Sequence, residues 1–304
     1  MTTPTHEGAV PNSALESVFM QIIHLLPKNT VSRAMGELSD VEIPPSLRAL
    51  VYGTYAQQFG VNVDEIEKPL ESYPTLNAFF TRSLKAGVRP VAQGDRAVVS
   101  PVDGRVSEFG PIVEGKLTQA KGRMYDVVDL VGNERHGRAF VGGYFMTIYL
   151  HPRDYHRIHC PVDGQIKGFR YEPGHLFPVA PASVRSVDDL FCINERVTVF
   201  VDAGAAATNG SGGGLPTALV MVGATCVGRM TLAFDELVTN QGDDLVRQVQ
   251  YEQGRPISRA GELGAFNLGS TVILLFPPDS FEVDGSVAEG RAVKLGERLG
   301  RLRG

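Results

Sequence analysis

Residues 272–276 read V-I-L-L-F, an unbroken apolar run stopped by Pro277-Pro278. The run is rich in β-branched and aromatic side chains and ends at residues that break a ladder, so it predicts a short buried strand. Gly269-Ser270 comes just before it. A Gly-Ser step therefore stands where a loop enters a packed strand.

The rest of the chain carries signals that match such a strand. Further strands are expected at 145–150, 197–201, 219–230 and 246–251. With 34 Gly and 19 Pro between short apolar runs, the body reads as strand-rich and turn-rich. Pro101-Val102-Asp103-Gly104 and Pro161-Val162-Asp163-Gly164 repeat, each a turn leading into a strand. They suggest two similar β units around one barrel-like or sandwich-like core. Residues 204–214 (G-A-A-A-T-N-G-S-G-G-G) read as a flexible loop, and 285–300 as a last hairpin followed by a solvated basic end, Arg298, Arg301 and Arg303.

The N-terminal part differs. Residues 1–11 read as disordered. Ser13-Ala14-Leu15-Glu16 is a capping box, and Leu15, Val18, Phe19, Ile22, Ile23 and Leu26 follow at helical spacing until Pro27. Thr30 opens a second helix holding Val31, Ala34, Met35 and Leu38. Pro44-Pro45 opens a third, with Leu47, Leu50, Val51 and Tyr55 on one face. The fold class expected is α+β: a short helical region, 1–72, before a β-rich catalytic domain, 73–304. Lys28, Arg33 and Arg48 lie near the apolar helix faces, which fits packing on the domain or contact with anionic lipid.

Composition narrows the function. A net charge of -5 offers no basic excess for phosphates, so no nucleic-acid partner is expected. Cys160, Cys192 and Cys226 are widely spaced and odd in number, as buried free thiols in a reducing compartment would be. No basic-then-apolar leader opens the chain and no apolar stretch approaches the ~20 residues of a membrane span. A soluble protein, or one peripheral to a membrane, is expected.

Two segments carry chemistry. A serine hydroxyl can attack the carbonyl before it, and glycine at that place removes the Cβ that would block the approach. Elimination from the resulting ester cuts the chain, and hydrolysis leaves a pyruvoyl group whose ketone can bind a substrate amine and act as an electron sink. A bare Gly-Ser-Thr is common, however, and reads first as a turn. The second segment, Tyr149-Leu150-His151-Pro152-Arg153-Asp154-Tyr155-His156-Arg157-Ile158-His159-Cys160, holds three of the seven histidines. No second Cys/His cluster completes a zinc site around His156, His159 and Cys160, so no metal is expected and an acid-base role is preferred.

Leu268-Gly269-Ser270-Thr271 resembles the self-cleavage motif of the phosphatidylserine decarboxylases, and Asp154-Tyr155-His156-Arg157-Ile158-His159 resembles their D-Y-H-R-x-H motif. Phe79-Phe80-Thr81-Arg82 with Arg89-Pro90, Lys121-Gly122-Arg123-Met124-Tyr125, Gly174-His175-Leu176-Phe177-Pro178-Val179 and Asn194-Glu195-Arg196 are similar to the same family. The last of these reads either as a surface turn or as a substrate contact. The resemblance implies cleavage between Gly269 and Ser270 into chains 1–269 and 270–304, which stay associated. It also implies a pyruvoyl cofactor made from Ser270, with no diffusible cofactor. It implies catalytic roles for Asp103, His159 and Ser270 in self-cleavage, and for His156 as proton donor in decarboxylation. Asp163 shares the sequence context of Asp103, and spacing does not choose between them. His175 and Phe177 are the candidate substrate contacts. Phosphatidylserine, an anionic membrane surface and further copies of the chain are the partners implied, with a peripheral place on the cytoplasmic face of the cell membrane. A soluble amino acid as substrate, an uncleaved β-rich binding domain and a zinc hydrolase are the other readings.

Overall fold

In a computed structural model, residues 28–120, 122–204, 214–225, 229–242, 245–267 and 271–303 are described. The disordered stretch and first helix expected before Pro27 lie outside these residues, as do most of the glycine-rich loop and Cys226. Helices α1 (Lys28–Ser39), α2 (Pro45–Phe59) and α3 (Leu76–Phe80) come first. Proline suits the first turn of α2, where its missing N–H would have no partner anyway. The helix ends at Gly60, whose left-handed φ of 77° lets its N–H reach Ala56 O. The face of α2 that packs is not the expected one. Tyr52 and Ala56 are buried, with Tyr52 stacked at 4.6 Å on Phe79, whereas Leu47 is 47% and Leu50 68% exposed. α2 is apolar on more than one side, and the aromatic side wins because Tyr73 and Phe79 meet it.

The strand-rich body runs β1 (Ala97–Val99), β2 (Gly104–Pro111), β3 (Lys116–Ala120), β4 (Arg123–Asp126) and β5 (Tyr144–Tyr149), with short helices between β4 and β5. Next come β6 (Arg157–His159) and β7 (Gly164–Glu172), short helices Pro181–Ser186 and Leu190–Ile193, then β8 (Arg196–Ala203) and β9 (Leu215–Val222). The chain closes with β10 (Met230–Leu232), β11 (Arg247–Ile257), β12 (Glu262–Phe266), β13 (Thr271–Phe276), β14 (Phe281–Val283), β15 (Ala292–Val293) and β16 (Arg298–Leu302). The main sheet is antiparallel in the order β11-β7-β8-β9-β13-β5-β2-β15. The predicted strand is β13, buried along its whole length between β9 and β5. Its alternation serves two cores. Val272, Leu274 and Phe276 face one, built with the three-stranded sheets β1-β16-β14 and β10-β12-β6; Ile273 and Leu275 face the other, under the helical insertions. The body is thus sandwich-like; β11 and β15 are open edges, so the sheet does not close into a barrel.

The Pro-Val-Asp-Gly repeat marks an internal duplication. The main sheet reads alike from both ends when β2 is matched with β7, β5 with β8, β13 with β9 and β15 with β11. Val99 N donates to Pro161 O and His159 N to Pro101 O, both at 2.9 Å, a reciprocal pair between equivalent positions. Asp103 accepts from Leu295 N, and Asp163 from Arg259 N, each at 2.8 Å. Both units carry a register slip at the same offset, Val106/Glu108 and Ile166/Gly168. The unit β6–β12 is inserted between β5 and β13 of the other. The glycines of the repeat are needed for close approach: a Cβ on Gly104 would lie 2.6 Å from Tyr149 O, and on Gly164 2.3 Å from Asp202 O.

Two expectations are corrected. Residues 219–230 form two strands in different sheets, parting after Val222. Residues 285–300 form no hairpin, since β15 pairs with β2 while β16 lies between β1 and β14. The basic end is therefore the middle strand of a sheet, with Leu299 and Leu302 turned inward and Arg301 paired with Glu282.

Candidate active site

Gly269 and Ser270 lie outside the described residues, and the chain on each side of them is tied down. Upstream, Phe266 N donates to His156 O at 3.0 Å and Asn267 N to Arg229 O. Downstream, Thr271 opens β13 between Tyr149 and Val222. The topology thus brings both flanks of the Gly-Ser step to the histidine segment.

That segment leaves β5 at Tyr149 and turns at residues 151–154, closed by His151 N on Asp154 Oδ2 and Asp154 N on His151 O. His156 follows, fully buried. A carbonyl only accepts, so the 2.8 Å contact of Nδ1 with Asp154 O puts the proton on Nδ1. Nε2 then carries the lone pair, and it has no hydrogen-bond partner among the described residues. Burial, then the nearby Arg82 cation, pushes the His156 pKa down to about 3. Arg82 is itself buried and donates through Nη2 to Arg153 O and to Asp154 O, the carbonyl that also holds His156. Phe80 packs its ring 4.0 Å from the imidazole.

His159 sits on β6 with both ring nitrogens engaged, Nδ1 to Ala260 O at 2.8 Å and Nε2 to Tyr155 Oη at 3.1 Å. Its pKa is lowered, mainly by burial, while Ala260, Glu262 and Asp103 pull the other way. Asp103 does not touch His159. Its carboxylate takes Arg89 Nε and Nη2 at 2.9 and 2.6 Å and Leu295 N at 2.8 Å, with Lys294 at 3.8 Å. Arg89 also pairs with Glu65 at 2.5 Å. Burial would lower the Arg89 pKa, but its bonds to Asp103 and Glu65 raise it overall. Asp163 lies at the equivalent turn of the other unit, on Arg259.

Three cavities meet at Tyr149. One of 410 Å³ is lined by Arg82, Arg89, Asp103, Asp154, Tyr155 and Lys294. A second of 480 Å³ is lined by Thr271, Thr147, Gln119, Glu108 and Val179. A third of 370 Å³ is largely apolar, between Met35 of α1, Tyr55 and Phe59 of α2, Phe80, Pro178 and Val179.

The candidate substrate contacts stand beside these walls. His175 is exposed and Phe177 packs into the core under the helical insertions, while the next residues, Pro178 and Val179, form the wall. Asn194-Glu195-Arg196 is no surface turn. All three are buried, and Asn194 brackets Phe177 through its N–H and its carbonyl while also holding Gly223 O. Arg196 is bonded to Leu130 O and Asp129 O, and Glu195 to Tyr171 Oη. Sequence reasoning passed over Tyr155 and Ala260, and noted Arg82 and Arg89 only as parts of a motif. Tyr155 stood inside the quoted motif; nothing local marked Ala260. Cys160 and Cys192 are free, both with pKa raised to about 12 by burial, which disfavours a thiolate ligand. Among the described residues no group of three or more His, Cys, Asp or Glu is placed to hold a metal ion.

Comparison with known proteins adds an independent finding. The family model of phosphatidylserine decarboxylase matches residues 76–301. The chain is 42% identical over 285 residues to the phosphatidylserine decarboxylase proenzyme of Myxococcus xanthus (strain DK1622), covering 94% of this chain and 98% of that one. It is 42% identical over 287 residues to the proenzyme of the same name from Anaeromyxobacter sp. (strain K), with the same coverage. Against that of Brevibacillus brevis (strain 47 / JCM 6285 / NBRC 100599) it is 39% identical over 285 residues, covering 91% and 95%.

Proposed function

The chain belongs to the phosphatidylserine decarboxylase family, and on that premise we propose how its residues carry the reaction. It is an enzyme that removes the carboxyl group of phosphatidylserine as carbon dioxide and leaves phosphatidylethanolamine. It is made as a proenzyme and cuts itself between Gly269 and Ser270. The observation that carries this reading is the convergence of both flanks of the Gly-Ser step on His156 and Tyr149.

In self-cleavage, His159 takes the Ser270 hydroxyl proton and the serine oxygen attacks the Gly269 carbonyl. Asp103 acts through its charge, favouring the imidazolium that forms. The pyruvoyl group left at residue 270 supplies a ketone for the substrate amine and a sink for the electrons freed when carbon dioxide leaves. The surrounding residues fit such a group. Thr271, which would follow it directly, lines the 480 Å³ cavity, and the buried Nε2 of His156 has no partner among the described residues. His156 holds no proton on Nε2 at rest, so it accepts one from the incoming substrate ammonium and returns it to the substrate carbon.

The apolar cavity supports a lipid over a soluble amino acid, because α1 and α2 form its rim. These helices also expose Leu38, Leu47, Leu50 and Val51, a surface suited to a bilayer. No helix among the described residues is long and apolar enough to cross a membrane, and we place the enzyme peripherally, on the cytoplasmic face. The fragments stay together because β13 of the small chain is laddered to β5 and β9 of the large one, β15 to β2 and β16 to β1. Mass measurement tests the scheme. Native protein should give one species. After denaturation it should give two, split at Gly269/Ser270, the smaller shifted by an amine and borohydride. Ser270→Ala should remain one inactive chain. A single full-length mass from active wild type would overturn it.

A further inference from the structure

His159 is clamped from both sides, and neither clamp is the aspartate expected to orient it. The Ala260 carbonyl only accepts, so Nδ1 bears the imidazole proton. The lone pair is then on Nε2, and the Tyr155 hydroxyl donates to it at 3.1 Å. Both side chains are buried and their rings stack at 5.6 Å and 26°.

The Ala260 carbonyl is held in place by its own turn. Ala260 has a left-handed φ of 61°, uncommon for a residue with a Cβ. Its N–H is bonded to Cys160 O at 2.8 Å, and the flanking residues are tied by Cys160 N to Gly261 O and by Arg259 N to Asp163 Oδ1. Asp163 thus anchors the turn that sets the tautomer of His159, while Asp103 anchors the equivalent turn at Leu295 and is occupied by Arg89.

We propose that Tyr155 is a positioning residue for self-cleavage, holding the Nε2 lone pair of His159 until the Ser270 proton reaches it. This rests on the reading of His159 as the base for Ser270. In the step, the Oγ–H bond breaks and Nε2–H forms, and the serine electron pair goes to the Gly269 carbonyl carbon. The phenol keeps its own proton. A hydroxyl both donates and accepts, so it rotates to receive the new Nε2–H, and a bond from a cation is the stronger of the two. Tyr155 therefore favours the protonated product and makes His159 a better base. The charged groups facing His159 are Glu262 on β12, Arg157 on its own strand and Asp103 ahead of β2.

The test is the first-order rate of self-cleavage in full-length protein against pH. Tyr155→Phe should lower the plateau by about tenfold and move the acid limb to lower pH by about half a unit. In a Ser270→Ala background, nitrogen NMR of His159 should show the Nδ1–H tautomer, and its titration midpoint should fall in Tyr155→Phe. Site-specific 3-fluorotyrosine at position 155 keeps the shape, donates more strongly and accepts more weakly, so it should move the midpoint the same way. A slower rate with an unmoved midpoint would mean packing only and overturn the inference, as would an unchanged rate or an upward shift. His159→Gln separates the two levels. If it still cleaves at the wild-type rate, the base assignment fails. If it stays uncut while Tyr155→Phe behaves as wild type, only the role of Tyr155 fails.

Discussion

His156 pairs a fully buried imidazole with a nitrogen that has no partner among the described residues, and the cost is tied to pH. Its folded pKa is depressed from 6.5 to about 3, so between those values the unfolded chain binds more protons. The stability held by the neutral ring is therefore complete above pH 6.5 and is lost as pH falls toward 3. Urea unfolding of uncut Ser270→Ala protein should lose roughly 1.5 kcal/mol between pH 6.5 and pH 5 from this group. The same protein with His156→Gln should lose that much less. Equal losses in both would mean that the ring is not held neutral. Arg82 adds to the effect without touching the ring, by placing a cation on the carbonyl that the ring also uses.

Among the elements, β2 and β7 begin alike and for the same reason. Gly104 and Gly164 are needed where a strand passes close to a neighbour's backbone. Gly164→Ala should cost ~1–3 kcal/mol in thermal or urea unfolding by forcing β7 away from β8, though it lies far along the chain from the Gly-Ser step. A loss within about 0.5 kcal/mol, the scatter of neutral surface substitutions, would show that the ladder yields freely. The short helices do a different task. Asn194, at the end of Leu190–Ile193, uses its whole amide to hold Phe177 and Gly223, and this fixes the wall at Pro178 and Val179. A polar triplet that reads as a surface turn or a substrate contact is thus buried, with Asn194 as a bracket.

At the scale of the molecule, the helices at the start and the sheet core share one cavity, so the proposed substrate entry and the proposed membrane contact fall on the same side. Replacing Leu47 and Leu50 by Asp should reduce co-sedimentation with anionic liposomes several-fold, while self-cleavage proceeds as in wild type. Undiminished sedimentation would move the membrane face elsewhere. The insertion of one β unit into the other also explains how distant segments meet. β13 can stand between β5 and β9 only because β6–β12 leaves and returns between β5 and β13.

Much of this was legible in the chain. The run 272–276 determined a buried strand because no other arrangement hides five apolar side chains so close to two prolines. The Pro-Val-Asp-Gly repeat suggested two like units, and the resemblance of residues 154–159 to a family motif, rather than their spacing, pointed to His156 and His159. Local patterns could not choose which apolar face of α2 would pack, since two were eligible and Phe79 decided. Nor could they show that β9 ends after Val222, that Arg298 and Arg301 lie in a central strand, or that Asp103 is taken by Arg89. The orientation of His159 was set by the backbone carbonyl of Ala260, 101 residues away along the chain. A carbonyl belongs to every residue and leaves no mark in sequence; only the tertiary packing of one turn against β6 brings it to the imidazole.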